Sequence, residues 1–217
     1  MKDLLNTTIA EPVALANAKA TALRRRMYEK HIQPFVFVHI NKTGGSSIQR
    51  ALGIPHDHLT ALEKRARLGL RAWDRKFKFC IVRNPWDKVV SHFHYRVQTN
   101  QTGLKDESVD FGDWVGLTYR DRQAPYYDSP KFFMPQTEWI SREDGKIIVD
   151  FVGRFEHLDE DFKKICEKLG RKGLSLPHDK KSNRGRYASY YTPETRDIVA
   201  EWFKADIDNF GYKFESE

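Results

Sequence analysis

Cysteine is scarce in this chain: 217 residues hold two, Cys80 and Cys166. That is too few for a disulfide framework. Cys80 falls in an apolar strand pattern and Cys166 on the apolar face of a helix pattern. Both are read as buried core thiols rather than a disulfide, a metal pair or a nucleophile. Long apolar runs are missing too. The longest are about six residues, against the roughly 20 that a spanning helix needs, so no membrane span is expected. The opening Met1-Lys-Asp-Leu-Leu-Asn6 lacks the apolar stretch and cleavage site of a signal peptide. Reduced thiols without an export signal point to the cytoplasm. Internal repeats and low-complexity linkers are absent. Charge of one sign is not extreme: 37 Lys and Arg against 30 Asp and Glu give +7. This favours anionic ligands without naming one. No standard nucleic-acid motif occurs and the aromatics follow core spacing, so no nucleic-acid partner is expected.

What is present begins at Phe35-Val-Phe-Val-His-Ile-Asn-Lys-Thr-Gly-Gly-Ser-Ser-Ile48. A nearly continuous apolar run suits a central parallel strand covered on both faces. It breaks into a glycine loop and opens a helix from about Ser46 to Leu52. Such a loop aims successive N–H groups at one spot, and the helix N-terminus and Lys42 add positive charge. Phe79-Cys-Ile-Val-Arg-Asn-Pro-Trp-Asp-Lys-Val-Val-Ser91 repeats the layout with Arg83 at the switch. Asn84 is placed to cap its helix, Pro85 fits the first turn and Asp87 favours the positive end. Two anion sites at two strand ends suit a ligand with two separated anionic groups.

Around these segments, residues from about Ala10 to Lys30 read as a polar, solvated lead-in helix, separate from a single domain over 33–217. A basic helix is expected from about Ala61 to Arg71, and a short one near Phe111–Trp114. Trp139-Ile140 and Ile147-Ile148-Val149 flank Glu143-Asp-Gly145 as a hairpin. Asp159 to Leu169 reads as an amphipathic helix closed by Gly170, and Thr192-Pro193-Glu194 as the start of a helix running to about Lys204. Strand and helix alternate, which implies an α/β layered fold with ligands at the carboxyl ends of the strands.

His39-Ile-Asn-Lys-Thr-Gly-Gly-Ser-Ser47 resembles the 5′-phosphosulfate loop of sulfotransferases that use 3′-phosphoadenosine 5′-phosphosulfate (PAPS). Ile81-Val-Arg-Asn-Pro-Trp-Asp-Lys-Val-Val-Ser91 resembles their 3′-phosphate motif. Phe151-Val-Gly-Arg-Phe-Glu156, the helix from Asp161, Tyr190-Tyr-Thr-Pro-Glu194 and Phe210-Gly-Tyr-Lys-Phe214 extend the likeness to the carbohydrate branch, which includes heparan sulfate 2-O-sulfotransferase and short bacterial relatives. Two departures are Asn41, where relatives usually carry proline, and Lys180, near where they often carry asparagine.

The resemblance implies a P-loop-like fold with a central, mostly parallel sheet flanked by helices. It implies transfer of a sulfuryl group from PAPS to an acceptor hydroxyl, of a glycan or another small molecule, releasing 3′,5′-bisphosphoadenosine (PAP). Lys42 would stabilise the leaving phosphate, and the Gly44, Gly45 and Ser46 N–H groups would hold it. Thr43, Ser46 and Ser47 offer hydroxyls; for each of them helix capping is the competing role. Arg83 and Ser91 would bind the 3′-phosphate, and for Arg83 a bridge to Asp87 is the competing role. His58 is the candidate base and His56 the second. His-x-His also suits a metal, but no third ligand of suitable spacing is evident, so no metal is expected. His94, Tyr95 and Gln136 are candidates for the acceptor cleft. Arg184, Gly185 and Tyr187 are candidates for a cover over the nucleotide. His39 reads as a core histidine.

Two other readings remain open. A P-loop kinase would place its lysine after the glycines and an acidic residue for Mg²⁺; here Lys42 precedes them and the second strand ends in Arg83. A non-catalytic polyanion-binding module would need only the basic surface.

Overall fold

The computed structural model of the chain describes residues 20–106, 109–177 and 185–215. Its sheet has three parallel strands in the order β1 (Phe35–Val38), β2 (Phe77–Val82), β3 (Phe151–Arg154). Phe35 pairs with Phe77 and Val38 with Cys80; Phe79 pairs with Phe151 and Val82 with Arg154. Helices cover both faces, giving an α/β layered fold.

Alternation along the strands divides the core. Val36, Val38, Cys80 and Val82 pack with Leu68, Trp73, Trp139 and Ile140 on one face. Phe35, Phe37, Phe79 and Ile81 pack with Ile48, Leu52, Phe162 and Ile165 on the other. β3 was not expected as a strand, because Gly153 interrupts its apolar pattern. The glycine is needed there: a Cβ would lie 2.7 Å from the Ile81 side chain and 3.1 Å from Asp161 Cβ. Cys80 and Cys166 are free and buried.

Helix α1 occupies described residues 20–31. It is docked rather than merely solvated: Arg25 reaches Asp57 at 3.1 Å and Glu29 pairs with Arg67 at 2.7 Å. Helix α2 (Gly45–Leu52) follows β1. The basic helix is split by Gly69, at φ +81°, into α3 (Ala61–Leu68) and α4 (Leu70–Asp74). After β2 comes α5 (Pro85–Gln98), capped by the Asn84 side chain accepting from Trp86 N–H at 3.1 Å. Short helices α6 (Phe111–Val115), α7 (Pro130–Phe133) and α8 (Gln136–Ile140) precede β3. The expected hairpin is reduced to one antiparallel bridge, Ser141 to Ile147, because Trp139 and Ile140 end α8. α9 (Leu158–Lys168) packs on β3. α10 (Pro193–Trp202) and α11 (Lys204–Phe210) close the described chain, with Thr192 capping α10. No described helix is long and apolar enough to cross a membrane.

Candidate active site

β1 and β2 end side by side, and the loops leaving them line a cleft of about 640 Å³. In the first loop Lys42 has φ +65° and Gly44 φ +78°. A left-handed lysine costs roughly 1–3 kcal/mol and persists only where its surroundings enforce it. Here they do. Thr43 is fully buried and its hydroxyl donates to the Ile40 carbonyl at 2.9 Å. Buried Asn41 donates to the Phe132 carbonyl at 3.0 Å. A Cβ on Gly45 would fall 2.0 Å from His39 Cδ2, so only glycine lets the chain pass over that ring. The Ser47 N–H already donates to Gly44 O at 3.1 Å. The N–H groups of Gly44, Gly45 and Ser46 have no hydrogen-bond partner among the described residues. They stand where the helix end favours an anion. Lys42 Nζ lies 4.2 Å from the centroid of the Tyr95 ring.

Arg83 braces the two loops. Its Nη1 donates to the Lys42 carbonyl at 2.9 Å, while Nε and Nη2 reach Asp87 at 2.8 and 2.7 Å. The guanidinium stacks 3.9 Å from the Phe155 ring centroid. The competing role, a bridge to Asp87, is therefore present at the cleft wall itself. Asp87, Ser91 and Tyr95 follow at four-residue steps on α5, and Ser91 and Tyr95 line the cleft with Arg83.

His56 and His58 also line the cleft. Asp57 between them is clamped by Lys64 at 2.8 Å and by Arg67 and Arg25 at 3.1 Å. Burial works against its ionisation, but Lys64 and Arg67 together outweigh it and hold the carboxyl below the usual range. The anchor turns both histidines to the cleft, with ring centroids 4.7 Å apart. His58 Nδ1 sits 3.0 Å from the His39 carbonyl. A carbonyl only accepts, so the proton sits on Nδ1 and the Nε2 lone pair remains. Burial lowers the His58 imidazole below its usual value, the bond to His39 opposes this, and His56 adds to it. Burial, with His58 and His56, lowers His39 to about 3.

Other expected residues sit elsewhere. Gln136 does not reach the cleft: it is fully buried, pairs with both Arg83 backbone groups at 2.8 Å, and its own N–H donates to Asp206 at 2.8 Å. It clamps the end of β2. His94 points off the cleft face, its ring edge-on to Tyr190 at 5.2 Å. Tyr187 accepts from Glu215 N–H at 2.8 Å and lies 3.5 Å from Asn84 Nδ2, beside the end of β2. Gly185 is exposed. Arg184 and Lys180 lie outside the described residues.

Sequence reasoning missed His39, His92, Arg96, Asp128 and Phe132 as cleft-lining residues. Arg96 is 2% exposed and pairs with Asp128 at 3.0 Å. His92 is buried, and burial with nearby Lys88 and Arg96 keeps it neutral. The available signal was helical: His92 and Arg96 are one turn apart, next to the Ser91–Tyr95 face.

The family described as "Sulfotransferase family" matches residues 26–213 of the chain. The chain belongs to this sulfotransferase family. An uncharacterized protein of Archaeoglobus fulgidus is 32% identical over 107 residues, 49% of this chain and 78% of that protein. The crystal structure of a sulfotransferase from Alicyclobacillus acidocaldarius superposes with a TM-score of 0.51 at 14% identity, covering 84% of this chain and 97% of that one. That of mouse sulfotransferase SULT7A1 complexed with PAP gives 0.49 at 16% identity, covering 82% and 84%. The superposition on the bacterial enzyme shows a shared fold. With the family established, the chain is a sulfuryl-transferring enzyme.

Proposed function

We propose that this sulfotransferase moves a sulfuryl group from PAPS to an acceptor hydroxyl, a glycan hydroxyl by resemblance, by in-line displacement. One observation carries the reading. An anion-binding loop, a braced arginine and a neutral histidine face a single cleft at the ends of adjacent parallel strands. The residues fit the donor: three N–H groups stand uncommitted at a helix start beside Lys42.

When bound, PAPS supplies the activated sulfuryl group. In this reading Lys42 and the Gly44, Gly45 and Ser46 N–H groups hold the 5′-phosphate and take up the charge developing there, with Ser46 and Ser47 hydroxyls as further donors. Arg83 and Ser91 hold the 3′-phosphate, Asp87 aiming the guanidinium. His58 accepts the acceptor's proton on Nε2, while the His39 carbonyl keeps Nδ1 protonated. His56 stands second. Tyr95, Arg96, Asp128 and Phe132 shape the acceptor end. Residues 33–217 act as one domain, and the two buried free thiols suit the cytoplasm.

The test is calorimetric titration with PAP, and with ATP for comparison, in EDTA and then in Mg²⁺. PAP binding that ignores the metal and weakens roughly 10- to 100-fold in Arg83→Ala is expected, from the loss of charge-assisted bonds. Preference for Mg-ATP would move the site to the kinase class. Binding of neither nucleotide would leave a polyanion-binding module.

A further inference from the structure

The His-x-His pair has a third partner that its spacing conceals. One ring nitrogen from each of His39, His56 and His58 lies within 4.8 Å of the other two. The ring centroids are 4.3 Å apart for His39–His58, 4.7 Å for His56–His58 and 5.0 Å for His39–His56. Such crowding penalises protonation, so the set offers neutral lone pairs. Neutral imidazole is the ordinary ligand of borderline divalent cations.

Two further features suit a cation. His58 Nδ1 is held by the His39 carbonyl at 3.0 Å, the outer bond that orients a metal-binding histidine through its other nitrogen. His39 is 3% exposed, and its Nδ1 has no hydrogen-bond partner among the described residues. A buried polar nitrogen without a partner is the kind of group that a ligand satisfies.

We propose that His39, His56 and His58 form a three-imidazole site for a zinc-class divalent cation, with its remaining position open to the cleft. Zinc–nitrogen bonds of about 2.0–2.1 Å place tetrahedral ligand nitrogens about 3.4 Å apart. The exposed His56 can approach by a change of rotamer, while His39 is held in the core and His58 by its backbone bond. Asp57 is committed to Lys64, Arg67 and Arg25 and adds no carboxylate to the set. The lone pair on His58 Nε2 cannot hold a cation and take a proton at once. Zinc in this site therefore suppresses transfer. This consequence rests on His58 acting as the base; the binding itself does not.

The test uses full-length protein stripped with chelator and freed of it. Cobalt(II) titration is followed by visible absorption, and zinc titration by calorimetry. One equivalent per chain is expected. Affinity should fall roughly 100-fold or more in His56→Ala and in His58→Ala, since outer-shell changes alone cost 10- to 100-fold. The exposed His31→Ala should leave it unchanged. His56 is on the surface, so its variant folds even if changes at His39 do not. Absence of stoichiometric binding, or equal affinity in His58→Ala, overturns the site. Stoichiometric zinc with an unchanged transfer rate overturns the mutual exclusion. PAP titration of the same metal-free samples reports the donor site separately. PAP binding without cation binding sinks this proposal alone; cation binding without PAP binding sinks the transfer reading alone.

Discussion

The lysine loop and the histidine wall line one cleft, yet they are made in different ways. The loop side comes from two contiguous strand-loop-helix corners, Ile40 to Ser47 and Val82 to Ser91. It is held at its backbone: Lys42 and Gly44 are left-handed, the Thr43 hydroxyl donates to the Ile40 carbonyl, and the Arg83 guanidinium donates to the Lys42 carbonyl. The histidine side is gathered from His39 just after β1, the His56–His58 segment and the Asp128–Phe132 stretch. It is held by side chains, above all the Asp57 ion cluster. On the proposed reading, the loop side binds the donor and the histidine side meets the acceptor and its proton.

The largest effect that tests this division belongs to the wall. His58→Ala should slow the chemical step by about 10²–10⁴-fold, with PAP affinity little changed. The pH profile gives a second readout. Burial depresses the His58 pKa below 6.5, so the neutral, proton-accepting form persists to lower pH than in an ordinary histidine. In wild type, kcat/KM should fall only as pH drops through that depressed value, and this acid limb should vanish in His58→Ala. Circular dichroism must show the fold intact across the limb. His39, buried and neutral down to about pH 3, makes stability fall as pH drops below 6.5, where the unfolded chain takes up a proton that the folded one refuses. Wild-type turnover in the variant would remove His58 from the mechanism and erase the contrast between the two sides.

Lys42→Ala probes the other side. Loss of about 10²–10³-fold in kcat, with a smaller loss of PAP affinity, is expected if its charge acts on the departing phosphate. Lys42→Gly separates charge from backbone, because glycine adopts φ +65° without strain. If Lys42→Gly retains the turnover that Lys42→Ala loses, the lysine serves the loop's shape instead of the reaction.

The same division explains what could be read in advance. β1, β2, the glycine loop, Arg83 and the Asn84 cap are local patterns, so adjacent residues carried them. β3 was hidden because Gly153 answers to Ile81 and Asp161, which lie far away in sequence. His39 passed for a core residue, and it is one. Its relation to His56 and His58 exists only once β1 and the loop before α3 are folded together. Gln136, after Met134-Pro135, was a candidate for the acceptor cleft, whereas its amide closes the end of β2. On α5 the four-residue step from Ser91 selects Tyr95 for the cleft and turns His94 toward Tyr190.

Asn41 joins the two sides and gives the smallest and sharpest test. Its side chain reaches the Phe132 carbonyl at 3.0 Å, and Phe132 stands edge-on to His58 at 5.3 Å. A proline here has no side-chain amide to make that tie. Asn41→Ala removes one part-buried hydrogen bond, worth about 1 kcal/mol, and for a domain of this size should lower Tm by about 2–4 °C. If the loop is held by its own backbone, PAP affinity should stay within about twofold, as less than half a kcal/mol reaches it. Acceptor KM should rise more, because the slackened part is Phe132 and the wall beyond it. A tenfold loss of PAP affinity at unchanged Tm would mean that Asn41 shapes the anion loop directly. The loop would then depend on the wall for its geometry, and the cleft would have to be treated as one cooperative unit.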